Sequence, residues 1–307
     1  MQGFRQTRVF MDTTVTVEAV VGDGTLEEAC LPAISEAFSW FEEVEGRCSR
    51  FDPDSELRRL SLQPGVPVAV SGLLFEAVRF AVGVAEASEG AFDPTVGARM
   101  EERGFDRNHR TGEMSRSGVP SRVGVSWRDV GLDRAARTIT LLHPLLLDLG
   151  AVAKGLAIDL GMRELAAFPG SAIDAGGDVA VRGVNSAGAP WRIGIRHARR
   201  PEALCTRVCL VEGAVCTSGD YERRSPHAEG GSHILDPGSG GAVDAVASCS
   251  VVAPNAMLAD ALGTAATVMG PERAIPWLKR QGVEALLLTP ALERYTTPGF
   301  ARLEQCL

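Results

Sequence analysis

Apolar segments with strand character fill much of the second half of the chain, at residues 171–174, 178–184, 190–196, 206–216 and 247–253, and they do not alternate with helices as regular strand–helix units. That order argues for an α+β protein with a mainly antiparallel sheet and helices, not for a doubly wound parallel one. The rest of the chain fits. Residues 8–21 are rich in β-branched side chains and predict a strand. Asp23-Gly24 makes a turn, Thr25 and Glu28 form a capping box, and Leu31, Ile34, Phe38 and Phe41 follow at helical spacing. Ser71 caps a second helix through Leu74, Val78, Ala81 and Val84, which stops at Gly90. A strand over 137–150, a short helix over 153–167, a helix from Asn255 to Met269, a further helix opening at Pro271 and a last strand over 283–289 complete the pattern. Residues 99–126 are polar, Arg-rich and short of apolar periodicity, which predicts an exposed, mobile connection. No internal repeat divides the 307 residues, a length that suits one domain of two intimately packed lobes.

Charge narrows the partners. The chain has 39 acidic and 31 basic residues, a net charge of −8, and its only lysines are Lys154 and Lys279. Arg is thinly spread, so nucleic acid and anionic membrane surfaces are excluded as general partners. An anionic ligand would have to be neutralised by a few local groups or a metal. No stretch approaches the roughly 18 apolar residues of a membrane helix. The first ten residues lack the apolar core of a signal peptide, and the expected location is cytoplasmic. Seven cysteines without a Cys-x-x-Cys pair predict reduced, mostly buried thiols.

Five clusters place polar or Gly residues at element ends or inside an apolar helix, where ligand sites tend to lie. Gly90 to Gly97, containing Ala91, Phe92 and Asp93, is either a helix end with an Asp-Pro turn or a ligand loop. Asp148 to Gly155 passes from a strand into a helix start, and carries Ala151 and Lys154. It is a plain connection with a solvated Lys or an anion site built on free N–H groups. Asp174 to Asp178 holds Gly176-Gly177, which makes a hairpin or lets backbone approach a ligand. Thr217 to Tyr221 is followed by Ser232 to Pro237, with His233 and Ile234; His233 is a structural side chain or a base. Asp260 and Thr264, spaced i, i+4 in an apolar helix, put two oxygens on one face. Mg²⁺ ligation or hydrogen bonds to backbone would satisfy both.

Together these clusters resemble the FAD:protein FMN transferases of the ApbE family. The resemblance begins at Met11-Asp12-Thr13-Thr14 and includes Ser49 to Leu57 with Phe51, the five clusters above, and Val251 to Pro254. It implies a bilobal, T-fold-like α+β architecture with a central flavin cleft. It implies Mg²⁺-dependent transfer of the FMN moiety of FAD, as a phosphoester, to a Thr or Ser hydroxyl of an acceptor protein, with AMP leaving. Hydrolysis of FAD to FMN and AMP, or flavin binding without catalysis, are the alternatives. Carried over by position, the metal contacts fall on Ala151, Asp260 and Thr264. The flavin contacts fall on Met11, Phe51, Ala91, Phe92, Asp93, Asp148, Lys154 and Ile234, and His233 takes the position of the base. The chain departs from the family's pattern at Asp12, where Gly is usual, at Phe51, where Tyr is usual, and at Gly238, where Arg is common.

Overall fold

A computed structural model describes residues 1–22, 27–107, 112–221 and 231–305. The expected turn at Asp23-Gly24 and the cap at Thr25 lie outside the described residues. In the first half the elements are β1 (Gln2–Phe10), β2 (Thr13–Val21), α1 (Leu31–Cys48), α2 (Glu56–Ser61), β3 (Val68–Ala69), α3 (Gly72–Ala87), α4 (Gly97–Glu102), β4 (Val130–Asp133) and β5 (Thr138–Leu141). In the second half they are α5 (Gly150–Glu164), β6 (Gly170–Ala175), β7 (Asp178–Gly183), β8 (Trp191–His197), β9 (Arg200–Leu210), β10 (Glu212–Gly219), β11 (Ser248–Ala253), α6 (Ala256–Met269), α7 (Pro271–Arg280), β12 (Glu284–Leu288), β13 (Arg294–Thr296) and α8 (Phe300–Leu303).

The main sheet has the order β1-β2-β6-β7-β10-β11-β12-β13, and each of these pairings is antiparallel. Side chains alternate between its two faces, as the period of a strand requires. Cys216, Cys249, Val251 and Leu287 enter a core shared with α1, α3, α5 and α6. Val215, Val252, Leu286 and Leu288 enter a second core, closed by the β8–β9 hairpin and Phe300. With both faces covered, β11 is buried along its whole length. The helices follow their apolar stripes. Ile34, Phe38 and Phe41 of α1 are fully buried, each Phe contributing about 1.5–3 kcal/mol. The expected cap forms at Ser71, whose Oγ accepts from Leu74 N at 3.2 Å, and Asn255, where a helix was expected to begin, caps α6, its Oδ1 accepting from Leu258 N at 2.9 Å.

Four expectations are corrected. The strand over 8–21 is a hairpin, β1 and β2 turning at Met11 and Asp12, whose φ values of 50° and 62° are left-handed. Such a turn favours Gly or Asn, and Asp tolerates it. Asp12→Gly is therefore expected to raise stability by up to about 1 kcal/mol, read as an increase in melting temperature; a fall would show that Asp12 makes a favourable contact. The 206–216 segment contains two strands, β9 and β10, broken at Val211. The 99–126 segment does not begin as an exposed connection. It starts in α4, and Glu101 and Asp106 are buried. Arg58 pairs with Glu101 at 3.7 Å, Arg116 with Asp106 at 2.7 Å, and Ser115 Oγ donates to the Phe51 carbonyl at 2.6 Å. Arg58 supplies a charge from outside the segment and Arg116 one from within it, and these hold a stretch that has no apolar pattern of its own. Finally, Cys209 is disulfide-bonded. Cys48, Cys216 and Cys249 are free and buried, Cys30 is buried, and burial pushes the Cys48 thiol up to about 12.

Candidate active site

Two groups of side chains meet at the start of α5. The first lies between α5 and α6. Asp260 is 8% exposed, and its Oδ2 is buried without a hydrogen-bond donor. Lys154 of α5 forms an ion pair with Asp178 and lies 3.4 Å from Asp260 Oδ2, a charge contact lacking hydrogen-bond geometry. One turn on from Asp260, Thr264 Oγ1 is 3.4 Å from Ser218 Oγ of β10. Asp178 also accepts from Thr217 N at 3.0 Å, which ties β7 to β10 beneath the site. Close approach of the two helices depends on Gly155: a Cβ there would lie 2.5 Å from Met257 Cα.

The donor set fits Mg²⁺. A buried carboxylate oxygen without a donor is costly, and a cation satisfies it. Among the described residues no three His, Cys, Asp or Glu side chains gather as ligands. A cation at Asp260 would therefore rely on one carboxylate, the Thr264 hydroxyl and backbone oxygen, with Ala151 in the first turn of α5. Mg²⁺ binds this way, through one or two carboxylates, with water and substrate phosphate completing its shell.

The second group is organised by Arg50, which is 4% exposed. Its Nε donates to Asp148 Oδ2 at 2.7 Å and its guanidinium to the Phe105 carbonyl at 2.8 Å. The same guanidinium lies 4.0 Å from the centre of the Phe51 ring, a cation–π contact. The rings of Phe105 and His233 form an edge-to-face pair with centroids 6.5 Å apart. Asp148 Oδ1 accepts from Gly150 N at 2.8 Å, so the cluster is joined to the first residue of α5. The loop that carries His233 is gripped by α4: Arg99 donates to the Pro237 carbonyl at 2.5 Å. In that loop burial pushes the Asp236 carboxyl up, but hydrogen bonds from Gly238 and Ser239 outweigh it and hold it below its usual range.

The remaining expected site residues are placed less centrally. Phe92 lies in the core. Asp93 accepts from Thr95 N, Thr95 Oγ1 and Trp127 N, so both its oxygens are engaged locally, and burial raises its carboxyl against those bonds. Of that trio only Ala91 is partly exposed. Met11 sits in the β1–β2 turn and donates its N–H to Glu45 at 3.2 Å. Ile234 is buried, with its N–H bonded to Ser232 Oγ. Gly176-Gly177 is a hairpin turn with both φ values positive. Arg50, Asp178 and Ser218 lie inside stretches singled out from the sequence but were given no role there, and Phe105 and Asp159 lie outside those stretches. Asp159 follows Gly155 by one helical turn, a spacing that could have marked it.

On an α+β fold with a main antiparallel sheet, a buried carboxylate oxygen without a hydrogen-bond donor on an apolar helix lies beside an aromatic–guanidinium cluster. The chain belongs to the ApbE family, whose model matches residues 11–287. It is 34% identical over 288 residues to the FAD:protein FMN transferase of Treponema pallidum, covering 84% of this chain and 77% of that one. It is 27% identical to the FAD:protein FMN transferase of Vibrio cholerae, covering 91% and 85%. The crystal structure of the ApbE protein of Thermotoga maritima superposes with a TM-score of 0.87 at 27% identity, over 99% of this chain and all of that one. The flavin transferase ApbE of Vibrio cholerae gives 0.83 at 25% identity, over 98% and 99%. By the names of these relatives the family is one of transferases. Among the described residues, no helix is long and apolar enough to cross a membrane.

Proposed function

We propose that this chain is a Mg²⁺-dependent FAD:protein FMN transferase. The hydroxyl oxygen of an acceptor Thr or Ser attacks the phosphorus on the FMN side of the FAD diphosphate. A phosphoester forms, the bond to the AMP phosphate breaks, AMP leaves with the electron pair, and the hydroxyl proton passes to a base. The observation that carries this reading is Asp260 Oδ2, buried without a hydrogen-bond donor one helical turn from Thr264. Asp260, Thr264 and the Ala151 carbonyl would hold Mg²⁺, which supplies Lewis-acid neutralisation of the diphosphate.

Transfer of this kind needs positioning and charge neutralisation more than covalent help. The start of α5 adds positive potential, whereas much of the Lys154 charge is balanced by Asp178 and Asp260. Phe51, backed by Arg50, offers an aromatic face for the flavin, with Met11, Ala91, Asp148 and Ile234 as further contacts. His233 takes the proton, its ring steadied by Phe105.

The test is incubation with FAD, Mg²⁺ and candidate acceptor domains, followed by peptide mass spectrometry. FMN on a Thr or Ser, with AMP in equal amount, is expected. Free FMN and AMP without an adduct would make the chain a diphosphatase, and no AMP at all would remove both reactions. Activity is expected to vanish in EDTA and return with Mg²⁺; full activity in EDTA would sink the cation role. In the same assay Asp12→Gly is expected to tighten FAD binding by removing a carboxylate near the anionic ligand. An unchanged dissociation constant would show that Asp12 points away from it.

A further inference from the structure

Asp159 is a partly buried carboxylate on α5 that the chemistry above does not use. Its Oδ1 accepts from Ala256 N at 2.7 Å and its Oδ2 from Met257 N at 3.0 Å, the first two N–H groups of α6. Both residues lie on the helix adjoining the cation site, 97 and 98 positions away in the chain. One turn back along α5, Gly155 admits the Met257 backbone. One residue further back, Lys154 reaches Asp260. These contacts run backward along α5 as they run forward along α6, so the two helices are antiparallel. Eight residues back from Asp159 is Ala151, and eight forward from Ala256 is Thr264. Each step is about 12 Å at ~1.5 Å per residue. The register set at Asp159 is therefore the register that faces the first turn of α5 with Thr264.

The helices need such a lock. The buried positions of α6 include Ala256, Ala259, Ala261, Gly263, Ala265 and Ala266, and side chains this small raise only shallow ridges against axial slip. The other cap of α6, Asn255, bonds only within its own helix. We propose that Asp159 is a positioning residue for the cation site: by holding the N-terminus of α6 it fixes the register that sets Asp260 and Thr264 against the start of α5. The proposal rests on the Mg²⁺ reading of that site.

The test uses the full chain, freed of metal, and Mn²⁺, which takes the same oxygen ligands as Mg²⁺. Free Mn²⁺ is followed by electron paramagnetic resonance in wild type, Asp159→Asn and Asn255→Ala. Asp159→Asn keeps the side-chain shape but turns an N–H₂ toward an N–H donor. It is expected to weaken Mn²⁺ binding about 10- to 100-fold, as loss of an outer partner of a metal site does. FAD affinity without metal should stay within about twofold. Asn255→Ala removes a cap without touching the register; it should lower the melting temperature and leave Mn²⁺ affinity within about twofold. If Asp159→Asn melts earlier yet binds Mn²⁺ like wild type, Asp159 is only a helix cap and the proposal fails. Equal weakening by Asn255→Ala would also overturn it, since helix stability rather than register would then govern the site. A wild type that binds no Mn²⁺ brings down the cation reading itself, and the proposal with it.

Discussion

Asp260→Ala is expected to lower turnover about a thousandfold, roughly 4 kcal/mol of transition-state stabilisation, while the melting temperature stays level or rises. The two halves of this expectation share one cause. Asp260 Oδ2 is buried without a hydrogen-bond donor, and an unsatisfied buried acceptor costs about 1–3 kcal/mol in the folded state. Truncation removes that cost together with the one carboxylate that would hold the proposed cation. Lys154 is not orphaned by the change, because it keeps its ion pair with Asp178, so the penalty of a stranded buried charge does not arise. Turnover measured across a Mg²⁺ series, with a thermal melt of the same sample, checks both parts. Full turnover at limiting Mg²⁺ would take Asp260 out of the site. A large loss of melting temperature would mean that the carboxylate is structural.

The second large effect is expected at His233. As a general base its neutral imidazole does the work, so turnover should rise with pH as the ring loses its proton and then level off. His233→Ala should lower turnover by about 10²–10⁴ and weaken FAD binding far less, because the lost interaction belongs to the transition state. The structural alternative makes the opposite split. If the ring serves mainly to pack against Phe105, the Ala variant should lose melting temperature and FAD affinity together and keep its turnover at saturating FAD. A pH profile identical in wild type and His233→Gln would remove His233 from the mechanism and turn attention to Asp148 as proton acceptor.

The legible parts of the fold and site were those written in short-range pattern. Ser71 and Asn255 announce helix starts because a cap bonds an N–H three residues away. Ile34, Phe38 and Phe41 announce a buried face because helical spacing repeats within a few residues. The hairpin at Met11-Asp12 was not legible, since Met11 is not a usual left-handed turn former, no Gly follows Asp12, and the β-branched run continues beyond it. The 99–126 segment misled for a different reason. Polar composition predicts solvent, and residues 112–124 are exposed or half-buried as it predicts, yet Glu101 and Asp106 are buried, Asp106 paired with Arg116 of the same segment and Glu101 with Arg58 from outside it, a partner that the segment's composition does not show.

The order of strand and helix segments, the i, i+4 pair Asp260/Thr264 and the helix start at Asp148–Gly155 are properties of the sequence by itself, because each depends on neighbours within one or two turns. The tertiary structure alone decided that Lys154 sits between Asp178 and Asp260, that Arg50 grips Asp148 from 98 residues away, and that Asp159 holds the N-terminus of α6. The physical reason is that an ion pair or a hydrogen bond depends on distance in space. Residues far apart in the chain carry no periodic mark of the partner they will meet, and only the packing of α5 and α6 against the antiparallel sheet brings these charges within reach of one another.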